Sequence, residues 1–112
     1  MQISIIGTGY VGLVAGVCFA EGGNSVICVD NNNAKLAKLE NGISPIFEPG
    51  LTELLKKNLS QKRITFTDNL KNGVQKSNVI FLALPTPPLE NGEADLKYIL
   101  EVAEKIGEFC NG

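Results

Sequence analysis

Three glycines that follow a short apolar run constrain the fold of this chain more than any other feature. The run is Ile3-Ser4-Ile5-Ile6, and the glycines are Gly7, Gly9 and Gly12. Gly7 permits a tight turn at the end of a strand, Gly9 lets the backbone approach a ligand without a Cβ atom in the way, and Gly12 lets the next helix pack closely on the sheet. This spacing, between an apolar strand and a helix, predicts a dinucleotide-binding turn.

The first turn of the predicted helix offers backbone amides to an anion. The N–H groups of Tyr10, Val11 and Gly12 come before the helical hydrogen-bond ladder, and they lie at the positive end of the helix dipole. We therefore expect these residues to face the diphosphate of a bound dinucleotide.

An acidic residue at a suitable distance strengthens this prediction. Asp30 follows the apolar run 25–29 and lies 18 residues after Gly12, close to the spacing of about 20 for the acid that accepts hydrogen bonds from the adenosine ribose. A carboxylate there repels a 2′-phosphate, so the pattern favours NAD over NADP. The alternative is that Asp30 only begins a turn, Asp30-Asn31-Asn32-Asn33. Lys35 is expected to reach the ribose or the phosphates, with a solvated surface lysine as the alternative.

Composition excludes several other classes of function. The 112 residues include 10 basic and 12 acidic side chains, with a net charge of −2 and no basic block, so nucleic acid is not an expected partner. The longest apolar stretch falls far short of the roughly 20 residues of a membrane span, and no charged leader precedes the first strand, so we expect a cytoplasmic protein. Histidine is absent and the three cysteines follow no metal or redox spacing. We therefore expect no metal site, and Cys18 and Cys28 are predicted to be buried, inert thiols.

Strands and helices alternate along the chain in the predicted structure. Strands are predicted at 2–6, 25–29, 64–67 and 79–84, and helices at 10–21, 33–40, 51–59 and 68–74. A last helix is predicted after Asp95, its N-cap, with apolar residues at 96, 99, 100, 103 and 106. This alternation predicts an α/β fold, a Rossmann-type doubly wound parallel sheet in the order 3-2-1-4. The unbroken apolar run 79–84 is typical of a parallel strand covered on both faces.

Several segments together resemble one family. They are Ile5-Ile6-Gly7-Thr8-Gly9-Tyr10-Val11-Gly12-Leu13, Pro45-Ile46-Phe47-Glu48-Pro49-Gly50-Leu51, Phe66-Thr67, Leu84-Pro85-Thr86-Pro87-Pro88 and Gly92-Glu93-Ala94-Asp95-Leu96. Their order and spacing are similar to the N-terminal, NAD-binding part of the UDP-glucose/GDP-mannose dehydrogenase family. Two of these segments, 84–88 and 94–96, are closer to the UDP-glucose branch than to the GDP-mannose or UDP-N-acetylmannosamine branches.

The resemblance implies a function and a set of cofactor contacts. The implied reaction is a four-electron oxidation of the C6 alcohol of UDP-glucose to the carboxylate of UDP-glucuronate, with two NAD⁺ and an enzyme-bound thioester. Val11 would contact the pyrophosphate through its backbone, Asp30 would bind the adenosine ribose, and Lys35 would support that end of the cofactor. Thr86 would face the cofactor from the loop after strand four, a position that the fold also favours because ligands bind beyond the carboxyl ends of strands. The alternative for Thr86 is a rigid turn residue between prolines.

The chain stops before the family's catalytic segments, so we expect residues 1–112 to be a partial NAD-binding domain that is inactive by itself. Cys110 lies at the end of the last predicted helix without the family's nucleophile motif. The sheet would be truncated after about four strands, leaving strand 79–84 as an exposed edge through which the chain is expected to self-associate. Three alternatives stay open: a stand-alone nucleotide-binding module without catalysis, the same fragment of a UDP-N-acetylmannosamine or GDP-mannose dehydrogenase, and another Rossmann dehydrogenase. Glu48-Pro49-Gly50-Leu51 argues against the last.

Overall fold

The computed structural model describes residues 1–46, 48–84 and 97–109. Strands and helices alternate along the chain: β1 Gln2–Ile6, α1 Tyr10–Glu21, β2 Ser25–Val29, α2 Asn33–Glu40, α3 Leu51–Ser60, β3 Ile64–Thr67, α4 Leu70–Gln75, β4 Val79–Leu82 and α5 Lys97–Phe109. All strand pairs are parallel, and the order across the sheet is β3-β2-β1-β4. The predicted α/β fold and strand order are therefore confirmed.

Asparagine side chains set the starts of two helices. The Asn32 side chain accepts a hydrogen bond from the Lys35 amide at 3.1 Å, which caps α2. The Asn69 side chain accepts one from the Asn72 amide at 3.0 Å, which caps α4. An N-cap residue lies outside the helix that it caps. Helix α4 therefore begins at Leu70, and the predicted start at Asp68 is wrong by two residues.

The core lies on both faces of the sheet around the central strand β1. On one face, side chains of β1, α1 and α3 form a core whose fully buried members include Ile5, Leu13, Val17 and Leu55. On the other face, a smaller cluster contains Ile6, Ile27, Val29 and Val102. Strand β1 is thus packed on both faces, so its carboxyl end, where the glycine turn begins, is held in place.

Helix α1 approaches the sheet closely at Gly16. A Cβ atom at Gly16 would stand 3.0 Å from the Cys28 sulfur on β2, which explains a glycine inside a helix, where it normally costs about 1 kcal/mol relative to alanine. Complete burial raises the pKa of the Cys28 thiol to about 12, so this thiol stays protonated and unreactive. Cys18 is exposed, because the face of α1 that meets the sheet carries Leu13, Gly16, Val17 and Ala20. Its predicted burial is wrong.

Strand β4 is shorter and more exposed than predicted. It ends at Leu82, which pairs with Ile6, the last residue of β1. The Ala83 amide donates to the Ile6 carbonyl at 2.8 Å, and β1 then turns away at Gly7, so pairing cannot continue to residue 84. Phe81 and Leu82 are 42% and 40% exposed, and Phe81 stacks on Phe19 of α1 with ring centroids 5.2 Å apart. Val79 and Ile80 pack against the two core clusters on opposite faces, so the predicted coverage on both faces is confirmed there and is wrong at Phe81 and Leu82. Among the described residues, β4 is a sheet edge, as predicted.

Helix α5 packs on the sheet through Val102, which is 7% exposed and belongs to the smaller core cluster. Ile106 packs against the same cluster. Leu100, one of the apolar residues in the sequence pattern of this helix, is 63% exposed, and Ala103 is also exposed. Only part of the apolar set is therefore packed. The predicted cap, Asp95, and Leu96 lie outside the described residues.

A polar cluster joins three elements at the amino ends of the strands. The Asn58 side chain on α3 is fully buried, and its amide nitrogen donates to Glu21 at 3.0 Å and to the Leu54 carbonyl at 2.8 Å. Its amide oxygen accepts from Arg63 Nε at 2.8 Å, and Lys57 donates to Glu21 at 2.7 Å. Every polar atom of the Asn58 amide group is thus engaged, which is what burial of an amide requires.

Candidate functional site

A cleft of about 980 Å³ opens at the carboxyl ends of the strands. Its walls are the glycine turn after β1, the loop after β2, Asp68 and Leu70 near β3, Ala83 and Leu84 after β4, and one face of α5. The volume is at the upper end of the roughly 300–1,000 Å³ typical of small-molecule sites. The crossovers change direction between β1 and β4, which is where open α/β sheets bind ligands.

The glycine turn at the base of this cleft has the geometry that the sequence predicts. Gly7 has a φ angle of +105°, and a Cβ atom there would stand 2.5 Å from the Ala83 carbonyl oxygen. A Cβ atom on Gly12 would stand 2.0 Å from the Gly7 carbonyl oxygen. A Cβ atom on Gly9 would meet nothing within 4 Å. Gly7 and Gly12 therefore permit close backbone packing, whereas Gly9 leaves its surface open to a ligand.

The start of α1 presents the expected amide groups to the cleft. The first helical hydrogen bond runs from the Leu13 amide to the Gly9 carbonyl at 2.9 Å, so the amides of Tyr10, Val11 and Gly12 have no acceptor within the helix. Helix α1 is described in full, and its first turn contains no acidic residue and its N-cap no side-chain hydrogen bond. Val11 is 71% exposed and, with Tyr10, borders the cleft. The arrangement suits an anion at the helix N-terminus.

Asp30 lies directly beside the glycine turn. Its Oδ2 atom accepts hydrogen bonds from the Thr8 hydroxyl at 2.5 Å and the Thr8 amide at 3.1 Å, and its Oδ1 atom accepts one from the Asn32 amide at 2.9 Å. Desolvation raises the pKa of Asp30, but these hydrogen bonds and the charge of Lys35 outweigh it and hold the pKa below its usual value. The carboxyl group is therefore a fixed, ionised acceptor at neutral pH.

Lys35 contributes the positive charge at this point. Its Nζ atom lies 3.4 Å from Asp30 Oδ2, and its side chain is 28% exposed. The backbone of Lys35 lies in the first turn of α2, and its side chain lines the same cleft as Asp30. The structure thus brings together Asp30 and Lys35, the two residues predicted to bind the adenosine end of the cofactor, and their role there stays a prediction.

A tyrosine links the site to the segment that precedes α3. The Tyr10 hydroxyl donates to Glu48 Oε2 at 2.6 Å. This hydrogen bond and the nearby negative charge raise the pKa of Tyr10. Glu48 belongs to the proline-containing segment 44–50, so the bond joins that segment to the N-terminal end of α1.

The family profile described as "UDP-glucose/GDP-mannose dehydrogenase family, NAD binding domain" matches residues 1–112. The chain belongs to this family. It is the family's NAD-binding domain, and its cofactor is NAD. The resemblance proposed from the sequence segments is thereby confirmed.

Curated relatives of this family domain are UDP-glucose 6-dehydrogenases. The chain is 49% identical over 111 residues to UDP-glucose 6-dehydrogenase TuaD of Bacillus subtilis, covering 99% of this chain and 24% of that protein. It is 47% identical over 113 residues to the UDP-glucose 6-dehydrogenase of Rhizobium meliloti, covering 100% of this chain and 26% of that protein. The chain thus spans about a quarter of the length of the relatives it matches.

Solved structures in the family have the same fold. A GDP-mannose dehydrogenase from Pseudomonas aeruginosa superposes with a TM-score of 0.91 at 42% identity, covering 96% of this chain and 24% of that one. A UDP-glucose dehydrogenase from Pyrobaculum islandicum gives a TM-score of 0.91 at 37% identity, covering 96% of this chain and 25% of that one. The NAD-binding fold therefore belongs to more than one sugar-nucleotide branch of the family.

The site of this family domain contains one residue that the sequence reasoning missed. Thr8 is fully buried and supplies two of the hydrogen bonds to Asp30. It occupies the variable position between the first two glycines, 22 residues from Asp30, and only the fold brings the pair together. The signal in the sequence that could have identified Thr8 is its polar side chain in a segment of otherwise apolar residues and glycines. Thr86, the remaining predicted cofactor residue, lies outside the described residues.

The part of the chain that the structure describes holds no cluster of three histidine, cysteine or acidic side chains suited to a metal ion. No helix in that part is long and apolar enough to cross a membrane. Of the two described cysteines, Cys28 is buried in β2 and Cys18 is on α1, and neither lines the cleft.

Proposed function

We propose that this chain is the N-terminal NAD-binding part of a UDP-glucose 6-dehydrogenase, with residues 1–112 forming a partial domain of the complete enzyme. The whole enzyme would convert UDP-glucose, two NAD⁺ and water into UDP-glucuronate and two NADH. One observation carries the proposed NAD site: an ionised carboxylate, Asp30, is hydrogen-bonded to the glycine turn in the same cleft that the N-terminus of α1 borders.

The described residues fit NAD in both charge and space. The diphosphate is an anion, and it would meet the amides of Tyr10, Val11 and Gly12 at the positive end of α1. The open space beside Gly9 gives the phosphate groups access to the backbone. The open space at Gly9 and the absence of an acidic residue from the first turn of α1 therefore support this placement of the diphosphate.

Asp30 and Lys35 would hold the adenosine half of the cofactor. The Asp30 carboxylate would accept hydrogen bonds from the ribose hydroxyls, and its charge would repel a 2′-phosphate. The Lys35 ammonium, 3.4 Å from that carboxylate, would lie beside the ribose and the adjacent phosphate. Gly7 would shape the turn, and Thr86 would face the cofactor from the segment after β4.

When bound in this cleft, NAD⁺ would supply the hydride acceptor for oxidation of the alcohol. The residues described here bind and orient that cofactor, and we propose that the nucleophile and the sugar-nucleotide pocket lie in sequence beyond these 112 residues. The described cysteines support this division, because neither lines the cleft. Burial also raises the pKa of the Cys28 thiol to about 12, and a thiol must ionise to attack. We therefore propose that the 112-residue chain is inactive by itself.

The proposed substrate rests on the sequence relatives. Eight relatives at 40–49% identity are UDP-glucose 6-dehydrogenases. A second candidate is GDP-mannose, because a GDP-mannose dehydrogenase shares 42% identity with the chain. The cytoplasmic location expected from the sequence stays a prediction.

The experiment that tests this function combines binding with turnover. The purified chain is titrated with NAD in a calorimeter and then incubated with NAD and UDP-glucose while the absorbance of NADH is followed. We expect NAD binding that is weaker than in a complete dehydrogenase, and no NADH. A chain that does not bind NAD contradicts the proposed cofactor site, and measurable NADH production contradicts the proposed division between binding and catalysis.

A further inference from the structure

Thr8 joins the two loops that form the candidate ribose site. It lies in the glycine turn after β1, it is fully buried, and both its hydroxyl and its amide donate to Asp30 in the loop after β2. The hydroxyl contact, at 2.5 Å, is in the range of short hydrogen bonds to a charged oxygen. Thr8 therefore ties the turn directly to the acid.

The two oxygen atoms of Asp30 have unequal environments. A carboxylate oxygen accepts about two hydrogen bonds. The Oδ2 atom already accepts two from Thr8 and also contacts Lys35 Nζ at 3.4 Å. The Oδ1 atom accepts one described hydrogen bond, from the Asn32 amide at 2.9 Å. Among the described residues, Oδ1 therefore keeps an acceptor position, whereas Oδ2 has none to spare.

We propose that Thr8 is a positioning residue for cofactor recognition, whose hydroxyl holds Oδ2 of Asp30 and so directs Oδ1 to the adenosine ribose of NAD. This inference rests on the proposed function, because it assigns Asp30 to the adenosine ribose. The dinucleotide fingerprint allows any residue at position 8, and the proposal gives Thr8 a role in cofactor specificity. A ribose hydroxyl would bind at Oδ1 without displacing Thr8, and a 2′-phosphate would meet a carboxylate that cannot rotate away.

The hydroxyl has a second consequence, for the charge of the acid. Burial of Asp30 favours its neutral form, and the Thr8 hydroxyl is the largest of the contributions that favour the ionised form. Loss of the hydroxyl would therefore raise the pKa of Asp30. The other charged groups near the acid are Lys35 on α2, Asp68 after β3, and Glu101 and Lys105 on α5, all of which line the same cleft. A substitution at Thr8 leaves these groups in place.

The test compares Thr8→Val, which keeps the shape and removes the hydroxyl, with Thr8→Ser, which keeps the hydroxyl. NAD and NADP are titrated into each variant by calorimetry between pH 5 and pH 8, with Thr65→Val as the matched control. Thr65 is exposed on β3 and does not line the cleft. Thr8→Ala serves as a second hydroxyl-free variant where Thr8→Val does not fold, and thermal unfolding identifies the variants that are folded.

For Thr8→Val we expect the NAD dissociation constant to rise about tenfold at pH 7, the size expected for losing a hydrogen bond to a charged group. We expect a further loss of affinity from pH 7 to pH 5 that the wild type does not show, because the acid becomes easier to protonate. The preference for NAD over NADP should fall, Thr8→Ser should restore both properties, and Thr65→Val should change neither.

Folded Thr8→Val or Thr8→Ala that binds NAD like the wild type at every pH overturns the inference. Equal loss in Thr8→Val and Thr8→Ser, without a change in pH dependence, also overturns it, since packing rather than the hydroxyl would then be responsible. Failure of the proposed function gives a different result: the wild type does not bind NAD, or Asp30→Ala binds it unchanged.

Discussion

Gly12 lies so close to Gly7 that a Cβ atom on Gly12 would stand 2.0 Å from the Gly7 carbonyl oxygen. Relief of that overlap requires the helix and the turn to separate, and both are packed in the core. Gly9, between them, has an extended backbone with φ −71° and open space where a Cβ atom would lie. The glycines of one turn therefore serve two purposes, close packing at Gly12 and ligand access at Gly9.

Alanine substitutions should separate these two purposes. Gly9→Ala should lower the free energy of unfolding by no more than about 1 kcal/mol, the cost of alanine at an N-cap, and should weaken NAD binding at least about tenfold because the methyl group occupies ligand space. Gly12→Ala should lower the free energy of unfolding by about 3 kcal/mol through overpacking against backbone. Urea unfolding and calorimetric titration measure the two effects. Unchanged NAD affinity in Gly9→Ala, or wild-type stability in Gly12→Ala, would contradict this division.

Asn58 should stabilise the fold without affecting the cleft. Asn58→Ala removes a fully buried amide that bridges Glu21, Arg63 and the Leu54 carbonyl, so the free energy of unfolding should fall by about 2 kcal/mol. Asn41→Ala is the matched control: its amide group makes one hydrogen bond, to the Ala37 carbonyl at 2.8 Å, at an exposed position. The control should lose less than about 1 kcal/mol. Equal losses of unfolding free energy in Asn58→Ala and Asn41→Ala, measured by urea unfolding, would show that the buried hydrogen-bond network does not stabilise the fold.

The 112-residue chain should self-associate through the edge at β4. No strand of the described residues pairs with the outer side of β4, and Phe81 and Leu82 are 42% and 40% exposed there. Exposed apolar edges of this kind pair with other chains. Sedimentation velocity from low to high micromolar concentration should show a rising weight-average mass. Leu82→Lys should suppress the rise, whereas Ile43→Lys, a matched change at an exposed loop residue, should not. A monomer at all concentrations would contradict this prediction.

Much of the fold follows from local signals in the sequence. The predicted bounds of β1, α1, β2, α2 and β3 agree with the structure, because glycine or asparagine lies beside most of these boundaries and an apolar run fills each strand. The end of β4 could not be predicted in this way. Hydrophobicity continues to residue 84, but pairing depends on the partner strand, and β1 turns away at Gly7 after Ile6 has paired with Leu82.

Exposure and side-chain contacts were harder to predict than element bounds. Cys18 lies in an apolar helix, yet it is exposed because only one face of α1 meets the sheet. Leu100 fits an apolar helical pattern, but α5 packs through Val102 instead. In the candidate site, Asp30 was predicted from its spacing to the glycines and Lys35 from its place just after Asp30 and from the family resemblance. Thr8 was missed because its partner lies 22 residues away. Tertiary geometry determines such contacts.

The loss of affinity for NAD and for NADP in Asp30→Ala decides whether Asp30 binds the ribose. The adenosine ribose loses a charged acceptor in this variant, so titration calorimetry should show NAD binding weakened by about 1–3 kcal/mol. NADP should lose less, because the carboxylate repels its 2′-phosphate. Asp68→Ala is the control, since Asp68 is an exposed acid that lines the same cleft, and it should leave the NAD preference unchanged. Equal losses for NAD and NADP in Asp30→Ala would contradict the account and leave Asp30 as a turn residue alone.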